Sequence, residues 1–279
     1  MQLLALDFDG VISDSAPEAF VVALHTWRAL CPERPLAPEF GAGRGGPAPA
    51  RAEVTAEPLY AGFLELMPLG NRAEDYAVML DALEAHARLP DQAGYDAWRD
   101  RLPREWLRAF HKAFYKVRAA LSDADPAGWT ALMGPYPELP AILRRHAREV
   151  VLAIATAKDR RSVARLLRSY GIDDLFSEGR VLDKEAGVAK AEHLALLHER
   201  FGVPYPEITF VEDKVNHLDG AARLGVRCAL AAWGYNGPRE IAQARARGYL
   251  VCSLADVEAQ LFGKAPDLPG GLGCGASPS

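Results

Sequence analysis

The sequence predicts an α/β protein with a doubly wound parallel sheet and an inserted all-α cap, and three observations support this fold class. The short apolar run Leu3–Phe8 ends in acidic residues and Gly10, as a buried strand that leads into a turn would. A long helical block follows. After about Pro135, strand-like and helix-like segments alternate, which is typical of a parallel sheet covered by helices on both faces. The first strand would not be stable alone, so it belongs to this sheet and the helical block is an insertion.

The insertion is predicted to be almost entirely helical. A helix covers about Pro17–Leu30, the Pro- and Gly-rich stretch 31–49 predicts a loop, and apolar residues recur at three-to-four spacing from about 51 to 132. Residues 41–46 match a dinucleotide fingerprint by letters. No clear strand precedes them and Pro47 follows, so we interpret them as a linker or a substrate loop. Arg44 and Arg72 could meet an anionic substrate, although solvated surface is the simpler interpretation.

The second half of the chain predicts a Rossmann-like alternation of strands and helices. The strands are Val150–Ala155, Phe176–Val181, Ile208–Val211, Arg227–Ala231 and Tyr249–Cys252, and the helices are Leu139–Arg148, Arg161–Tyr170, Ala191–Phe201, one that ends at about Leu224 and one near Arg239–Ala246. The predicted domains are therefore an α/β core at 1–15 and 136–262 and a helical cap at 16–135. The tail, 263–279, is rich in Gly, Pro and Ser and is predicted to be disordered.

Composition favours a soluble cytoplasmic enzyme. The formal net charge is −5, which argues against binding to nucleic acids or membranes, since both are polyanions. No run approaches the roughly 18 apolar residues that span a bilayer, and the N-terminus lacks the basic flank of a signal peptide. The four cysteines, Cys31, Cys228, Cys252 and Cys274, form no Cys-x-x-Cys pair, so they suit a reduced compartment better than a disulfide framework or a zinc site.

The strongest chemical signal is Asp7-Phe8-Asp9-Gly10, at the end of the first predicted strand. Side chains alternate along a strand, so Asp7 and Asp9 point to one side. In an open α/β sheet the binding crevice lies beyond the carboxyl ends of the strands, which is where this pair falls. The alternative interpretation is a solvated strand end or a helix cap, and the apolar run before the acids disfavours it.

Three later features fall at the same predicted edge of the sheet. Thr156 directly follows the second core strand at the start of a helix, where a hydroxyl could hold a phosphate or simply cap the helix. Lys190 begins the helix after the next strand. Glu212 and Asp213 end the strand after that, where paired acids suit a hard cation. Each signal is weak alone, but their order and their common edge make the set specific.

This set resembles the haloacid dehalogenase-like (HAD) hydrolase superfamily, in particular its members similar to phosphoglycolate phosphatase and β-phosphoglucomutase. Asp7-Phe8-Asp9-Gly10 matches the first motif, Thr156 the second and Val211-Glu212-Asp213 the fourth. Lys190 matches the third motif by its distance from the final acids, with Lys184 as the alternative. The resemblance covers the core, whereas the cap matches only in position and helicity.

The resemblance implies a phosphatase that hydrolyses phosphate monoesters. Asp7 would be the nucleophile and would form an aspartyl-phosphate. Asp9 would protonate the leaving oxygen and then activate water. Thr156 and Lys190 would bind the substrate phosphate. An acid at position 9 favours this chemistry, because the dehalogenase and phosphonate-cleaving members lack one there.

The resemblance also implies that Mg²⁺ is the cofactor. It would be bound by Asp7, by the backbone carbonyl of Asp9 and by Asp213, with Glu212 as an additional or water-mediated ligand. The family often has a second Asp four residues after the main Asp of the fourth motif. In this sequence that position is His217, with Asp219 nearby, which leaves the outer metal ligands open.

The expected substrate is a small phosphorylated metabolite, and the protein is expected to be a monomer or a homodimer. Two alternative functions stay open at this point. One is a phosphomutase of the same superfamily, which needs the same acid at position 9. The other is a non-catalytic binding or regulatory protein derived from these enzymes.

Overall fold

The structure is a computed structural model that describes residues 1–34, 36, 47–70, 72–177, 179–187 and 189–263. The sequence-based expectations for the loop at 41–46, for Arg44 and for residues 264–279 of the tail lie outside the described residues.

Within the described residues, six strands form one parallel sheet, and two short strands form an antiparallel pair. The strands are β1 (Leu3–Leu6), β2 (Ser13–Asp14), β3 (Gly134–Pro135), β4 (Val151–Ala155), β5 (Val181–Leu182), β6 (Ile208–Glu212), β7 (Arg227–Ala231) and β8 (Leu250–Cys252). The sheet order is β5-β4-β1-β6-β7-β8, and β2 pairs with β3. The short β2–β3 pair, which the sequence did not predict, joins the two connections between the core and the inserted helices.

The helices divide into an inserted set and a set that covers the sheet. The inserted helices are α1 (Ala16–Leu30), α2 (Arg51–Thr55), α3 (Pro58–Leu66), α4 (Ala73–Glu84), α5 (Gln92–Arg99), α6 (Arg104–Ala124) and α7 (Pro126–Ala131). The later helices are α8 (Leu139–His146), α9 (Arg160–Ser169), α10 (Lys190–Phe201), α11 (Val215–Ala222), α12 (Pro238–Ala246) and α13 (Val257–Phe262). Single 3-10 turns occur at Met67–Leu69, Asp173–Leu175 and Tyr205–Glu207.

The central strand, β1, is buried on both faces, and its side chains alternate between two hydrophobic clusters. Leu4 and Leu6 pack with α8, α9 and α13, whereas Leu3 and Ala5 pack with α10, α11 and α12. From β1 the chain moves outward through β4 and β5, then returns to β6 on the other side of β1 and continues to β8. This reversal beside β1 is where open α/β sheets form a binding crevice at the carboxyl ends of their strands. The predicted fold class is confirmed.

The inserted helices pack around an aromatic cluster of their own. The ring centroids of Phe20 and Phe63 lie 5.3 Å apart, as do those of Tyr76 and Phe114. Trp27, Tyr95 and Phe110 are fully buried in the same cluster. We propose that residues 16–135 are the cap and that 1–15 with 136–262 are the core, the division predicted from the sequence.

One predicted strand, Phe176–Val181, is wrong over most of its length. The strand is only Val181–Leu182, and it pairs with Ile154 and Ala155 of β4. Phe176 instead ends the 3-10 turn at 173–175, and its side chain is buried in the cluster beneath α9. Gly179 then adopts a φ of +85°, a turn conformation that a strand excludes. The apolar character of Phe176 therefore reflects the packing of a turn.

Among the described residues, no helix is long and apolar enough to cross a membrane. Cys31, Cys228 and Cys252 are buried free thiols, and Cys274 lies outside the described residues. The cytoplasmic location inferred from the sequence stays a prediction.

A buried ion pair connects the first and sixth helices of the cap. Glu18 of α1 is fully buried and accepts hydrogen bonds from Nε and Nη2 of Arg118, both at 2.7 Å, and from Nε1 of Trp129 at 3.0 Å. Burial opposes the charge on Arg118, but Glu18 raises the pKa of that guanidinium above its usual range. The charge of Arg118 is therefore stabilised by its buried partner.

We expect Glu18→Ala to destabilise the protein by about 3 kcal/mol, because it leaves a mostly buried guanidinium without its partner. Urea unfolding of wild type and variant measures this change. Asp96→Ala is the matched control, since Asp96 pairs with Arg99 at the surface of the same cap and its loss should cost at most about 1 kcal/mol. Equal destabilisation by the two substitutions would contradict the prediction.

Candidate active site

Parallel pairing in the sheet brings the sequence-predicted residues to one edge. Leu6 of β1 lies opposite Ile154 of β4 and Val211 of β6, so residues just beyond these positions reach the same end of the sheet. Four of the predicted residues, Asp7, Asp9, Thr156 and Lys190, line one cleft of about 430 Å³ between the core and the cap. The other two, Glu212 and Asp213, are fully buried next to Asp7.

Three carboxylates form a compact buried cluster at the base of this cleft. One oxygen from each of Asp7, Glu212 and Asp213 lies within 4.8 Å of the others. Asp213 Oδ2 accepts a hydrogen bond from the backbone N–H of Tyr235 at 2.9 Å, whereas its buried Oδ1 has no hydrogen-bond partner among the described residues. Buried carboxylate oxygens with an unsatisfied acceptor suit a hard divalent cation such as Mg²⁺. The donor set therefore fits the metal that the resemblance implies.

The pKa values of the three carboxylates are shifted because these groups are buried close to one another. Burial, together with the charge of Glu212, raises the pKa of Asp7 to about 7, although Lys190 opposes this shift. Burial also raises the pKa of Asp213 well above its usual range, and the charge of Glu212 adds to the effect. Burial acts in the same direction on Glu212, but Lys190 holds the pKa of that carboxyl below its usual range.

Lys190 is a cation in direct contact with the acidic cluster. Its Nζ lies 2.6 Å from Asp7 Oδ1 and 3.4 Å from Glu212 Oε2, and it donates to the carbonyl oxygen of Ala155 at 2.8 Å. Asp7 Oδ1 also accepts the backbone N–H of Phe8 at 2.7 Å. Asp7 Oδ2 has no such hydrogen bond to a described residue, so this oxygen is the one available to a substrate.

Asp9 lies beside the cluster and is held by two groups that the sequence did not point to. Its Oδ1 accepts hydrogen bonds from Lys158 Nζ, at 3.0 Å, and from the hydroxyl of Ser15. Burial opposes ionisation, but Lys158 and Ser15 outweigh it and lower the pKa of Asp9. Lys158 follows Thr156 by two residues, so its place in the motif loop was a signal that sequence reasoning could have used.

Thr156 is buried at the end of β4. Its backbone N–H donates to the carbonyl of Leu182 at 2.9 Å, and its Oγ1 accepts the backbone N–H of Lys158 at 3.1 Å. The N-cap of α9 is Asp159, whose carboxylate accepts from the backbone N–H of Ser162 at 2.9 Å. The alternative interpretation of Thr156 as the helix cap is therefore wrong.

The sequence left the roles of three residues undecided, and the structure places them differently: they are Lys184, His217 and Asp219. Lys184 is exposed at the edge of the cleft, with its Nζ 5.9 Å from the ring centroid of Tyr115, and among the described residues it forms no ion pair with Asp7. His217 lines the cleft, and its Nδ1 is 3.3 Å from Glu212 Oε2. Asp219 is not in the cluster: it pairs with Arg247 Nε at 2.8 Å and accepts from the Tyr249 hydroxyl at 2.7 Å.

The cap supplies further residues to the cleft. The sequence raised one of them, Arg72, as a possible contact for an anionic substrate, and no sequence signal identified the others. Arg118 and Tyr115 of α6 line it, as does Arg72 before α4. The cap also contacts the core directly after the fourth motif. The buried Lys214, which follows Asp213, donates to the carbonyl oxygen of Met67 at 2.6 Å and to that of Tyr235 at 2.7 Å. These contacts depend on how the cap packs on the core, which local sequence patterns do not report.

Two glycines leave room for Asp213. Gly10 has a φ of +83°, and a Cβ there would lie 2.6 Å from Asp213 Oδ2. A Cβ at Gly234 would lie 2.4 Å both from the Cβ of Asp213 and from the backbone oxygen of Gly10. The oxygen of Gly10 is a backbone atom and cannot rotate away as a side chain can. A larger side chain at 234 must therefore displace either Asp213 or the first motif loop.

We therefore expect Gly234→Ala to destabilise the protein by about 1–3 kcal/mol, the usual cost of overpacking. It should also weaken divalent-cation binding, measured by calorimetry. Gly220→Ala is the matched control: Gly220 lies in α11, and a Cβ there meets nothing within 4 Å. That substitution should stabilise the helix by about 0.5–1 kcal/mol and leave cation affinity unchanged. Normal cation affinity in Gly234→Ala would contradict the packing argument.

Comparison with known proteins agrees with this fold. A family model described as haloacid dehalogenase-like hydrolase matches residues 1–225. A solved structure described as a predicted phosphoglycolate phosphatase of Haemophilus somnus superposes with a TM-score of 0.61 at 21% identity, covering 92% of this chain and 96% of that one. A haloacid dehalogenase-like family hydrolase of Streptococcus pneumoniae gives a TM-score of 0.64 at 12% identity, covering 95% and 99%.

Among curated proteins, the chain is similar to tyrosine-protein kinase PtkA of Mycobacterium tuberculosis and of Mycobacterium bovis. The identity is 28% over 240 residues, which are 84% of this chain and 63% of the relatives. This chain thus spans less than two thirds of the length of those relatives.

The parallel sheet, the four motifs at its edge and the family match together define the class of protein. The chain belongs to the haloacid dehalogenase-like hydrolases, a family of enzymes. The resemblance stated from the sequence is confirmed.

Proposed function

We propose that this protein is a Mg²⁺-dependent phosphatase that hydrolyses a small phosphorylated metabolite through an aspartyl-phosphate on Asp7. One observation carries the proposal: Asp7 lies in a buried acidic cluster with Lys190 in contact, and Asp9 lies beside it in the same cleft. A nucleophilic carboxylate, a cation and a second acid on one side are the groups that transfer of a phosphoryl group to a carboxylate requires.

Charge balance supports a role for a cation. Two unit charges about 4 Å apart repel by about 4 kcal/mol at an effective dielectric of about 20, and a doubly charged phosphate about doubles this. The acidic cluster alone would therefore repel the substrate. When bound by Asp7, Asp213 and the Asp9 carbonyl, with Glu212 in support, Mg²⁺ supplies the neutralising charge that keeps Asp7 ionised and reduces this repulsion. Lys190 adds positive charge beside Asp7.

In the first half-reaction, the free Oδ2 of Asp7 attacks the phosphorus atom. A bond forms between that oxygen and phosphorus, and the bond from phosphorus to the leaving oxygen breaks. Before substrate binds, Lys158 and Ser15 favour the ionised form of Asp9, whereas the negative charge of a bound phosphate ester favours its protonated form, so Asp9 enters this step protonated. It gives that proton to the leaving oxygen, which departs as an alcohol. Thr156 and Lys190 bind phosphoryl oxygens during the transfer.

In the second half-reaction, Asp9 is the base. It takes a proton from a water molecule, whose oxygen attacks phosphorus. The bond between phosphorus and Asp7 breaks, so inorganic phosphate leaves and the Asp7 carboxylate is restored. The cap excludes bulk water from the cleft while the substrate reacts, which favours ordered attack by one water molecule.

Phosphate release from p-nitrophenyl phosphate tests the proposal. We expect release with Mg²⁺, loss of release after EDTA treatment, and recovery when Mg²⁺ is returned. Phosphate release that is unaffected by EDTA would contradict the metal requirement. No release by a folded protein, with any of a panel of phosphorylated metabolites, would contradict phosphatase activity itself.

Transfer to an acceptor other than water is the second candidate function. The similarity to proteins named tyrosine-protein kinase favours it, as does the fact that a phosphomutase would use the same acids. In both cases Asp7 and Asp9 could serve the same chemistry, with an alcohol or phenol in place of water. The phosphate-release experiment separates these functions, because transfer to another acceptor leaves little free phosphate.

A further inference from the structure

Three hydroxyl groups form a chain that ends on the carboxylate of Asp9. Ser15 donates to Asp9 Oδ1, Ser15 Oγ lies 3.1 Å from Ser13 Oγ, and Ser13 Oγ lies 2.7 Å from the hydroxyl of Tyr170. Ser13 and Ser15 are buried, and Tyr170 is half-buried at the end of α9. The chain therefore connects the first motif to a core helix distant in sequence.

The backbone and a ring contact fix the chain in place. The N–H of Ser13 donates to the carbonyl of Phe8 at 2.8 Å, and the carbonyl of Ser13 accepts from the N–H of Gly10 at 2.8 Å. The ring of Tyr170 is stacked on that of Phe8, with centroids 6.4 Å apart and planes 8° from parallel. Ser13 thus belongs to the turn that carries Asp9, and Tyr170 is held against this turn by its contact with Phe8.

The number of protons on each group determines which one donates in each hydrogen bond of this chain of hydroxyls. A hydroxyl has one proton to donate, and an ionised carboxylate can only accept. Because the one proton of the Ser15 hydroxyl is donated to Asp9, Ser13 must be the donor in the hydrogen bond between Ser13 and Ser15. The Ser13 hydroxyl then has no second proton to donate, so Tyr170 must be the donor in its hydrogen bond with Ser13. All three hydroxyls point toward Asp9, and hydrogen bonds aligned in this way strengthen one another.

We propose that Ser13, Ser15 and Tyr170 are positioning residues that fix which oxygen of Asp9 exchanges a proton with the substrate. Oδ1 already accepts from Ser15 and from Lys158, so it cannot carry the proton without losing one of those donors. Oδ2 forms no hydrogen bond with a described residue and is the oxygen that can face the leaving group. This inference rests on the proposed function, in which Asp9 is the general acid.

Two substrates of similar shape distinguish this role from a purely structural one. A phenolate leaving group needs a proton from the acid, whereas p-nitrophenolate is a stable anion and leaves readily without one. We measure kcat/KM for phenyl phosphate and for p-nitrophenyl phosphate, since this parameter reports the first half-reaction for both. The variants are Ser13→Ala and Tyr170→Phe, and thermal unfolding shows whether each is folded.

We expect kcat/KM for phenyl phosphate to fall about tenfold in each variant, which corresponds to about 1.4 kcal/mol. For p-nitrophenyl phosphate we expect a fall of less than about twofold, because acid catalysis contributes little there. Tyr249→Phe is the matched control: Tyr249 also donates to a carboxylate, that of Asp219, which is outside the acidic cluster. It should leave both values unchanged.

An equal fall for both substrates, or no fall for either, overturns the positioning role while the proposed function stands. Failure of the wild-type protein to hydrolyse either substrate overturns the proposed function, and this inference with it. Tyr170→Phe keeps the ring that stacks on Phe8, so it tests the hydroxyl even if Ser13→Ala does not fold.

Discussion

Replacing Asp7 with Asn should lower kcat/KM for any phosphate monoester that the protein hydrolyses by at least about 10³-fold, because the covalent route is lost. The substitution keeps the size of the side chain and its contact with the N–H of Phe8. It removes the nucleophilic charge and one of the three carboxylates of the acidic cluster. Steady-state assays with Mg²⁺ in excess measure the loss.

Asp219→Asn is the control for this substitution. Asp219 follows the same motif in sequence, but it pairs with Arg247 and Tyr249 outside the cluster. We expect its replacement to change kcat/KM by less than about threefold, because it touches neither substrate nor metal ligands. A variant Asp7→Asn that keeps a tenth or more of the wild-type activity would mean that another residue is the nucleophile.

Replacing Asp9 with Asn should slow hydrolysis by about 10²–10⁴-fold, the usual contribution of a general acid or base. With phenyl phosphate both half-reactions should be slow. With p-nitrophenyl phosphate the first half-reaction needs little help from an acid, so the second should become limiting. A burst of p-nitrophenol close to one equivalent per chain, followed by slow turnover, is therefore expected in rapid-mixing experiments.

The contrast between the two substrates is the internal control for this prediction. Loss of Lys158's partner could also disturb the site, but a general disturbance would slow the first half-reaction for both substrates alike. Absence of a burst, with equal losses on both substrates, would count against Asp9 as the acid and base.

The part of the site that sequence predicts is the part encoded by strand ends. Asp7, Thr156 and Glu212 lie at or next to the end of a buried strand, and parallel pairing places such residues at one edge of the sheet. Lys190 follows from the same logic, because it begins the helix after β5. Local periodicity was therefore enough to bring these residues into one region.

The parts that sequence could not predict depend on packing between distant elements. Tyr170 reaches Ser13 only because α9 packs beside the first motif, and Lys214 reaches Met67 only because the cap lies over the core. Phe176 led to an error of the opposite kind, a predicted strand that does not exist. Its apolar side chain is buried, but the backbone there forms the end of a turn. Hydrophobicity reports burial, but it does not report which backbone conformation achieves the burial.

The central claim is that the phosphoryl group passes through Asp7, and trapping that intermediate tests it most directly. Asp9→Asn protein is mixed with p-nitrophenyl phosphate and Mg²⁺, quenched in acid during the burst and mapped by peptide mass spectrometry. The account predicts one phosphoryl group per chain, on the peptide that contains Asp7, and its removal by hydroxylamine as an acyl phosphate. A phosphoryl group on a different residue, or a burst of product with no covalent phosphate, would contradict the account.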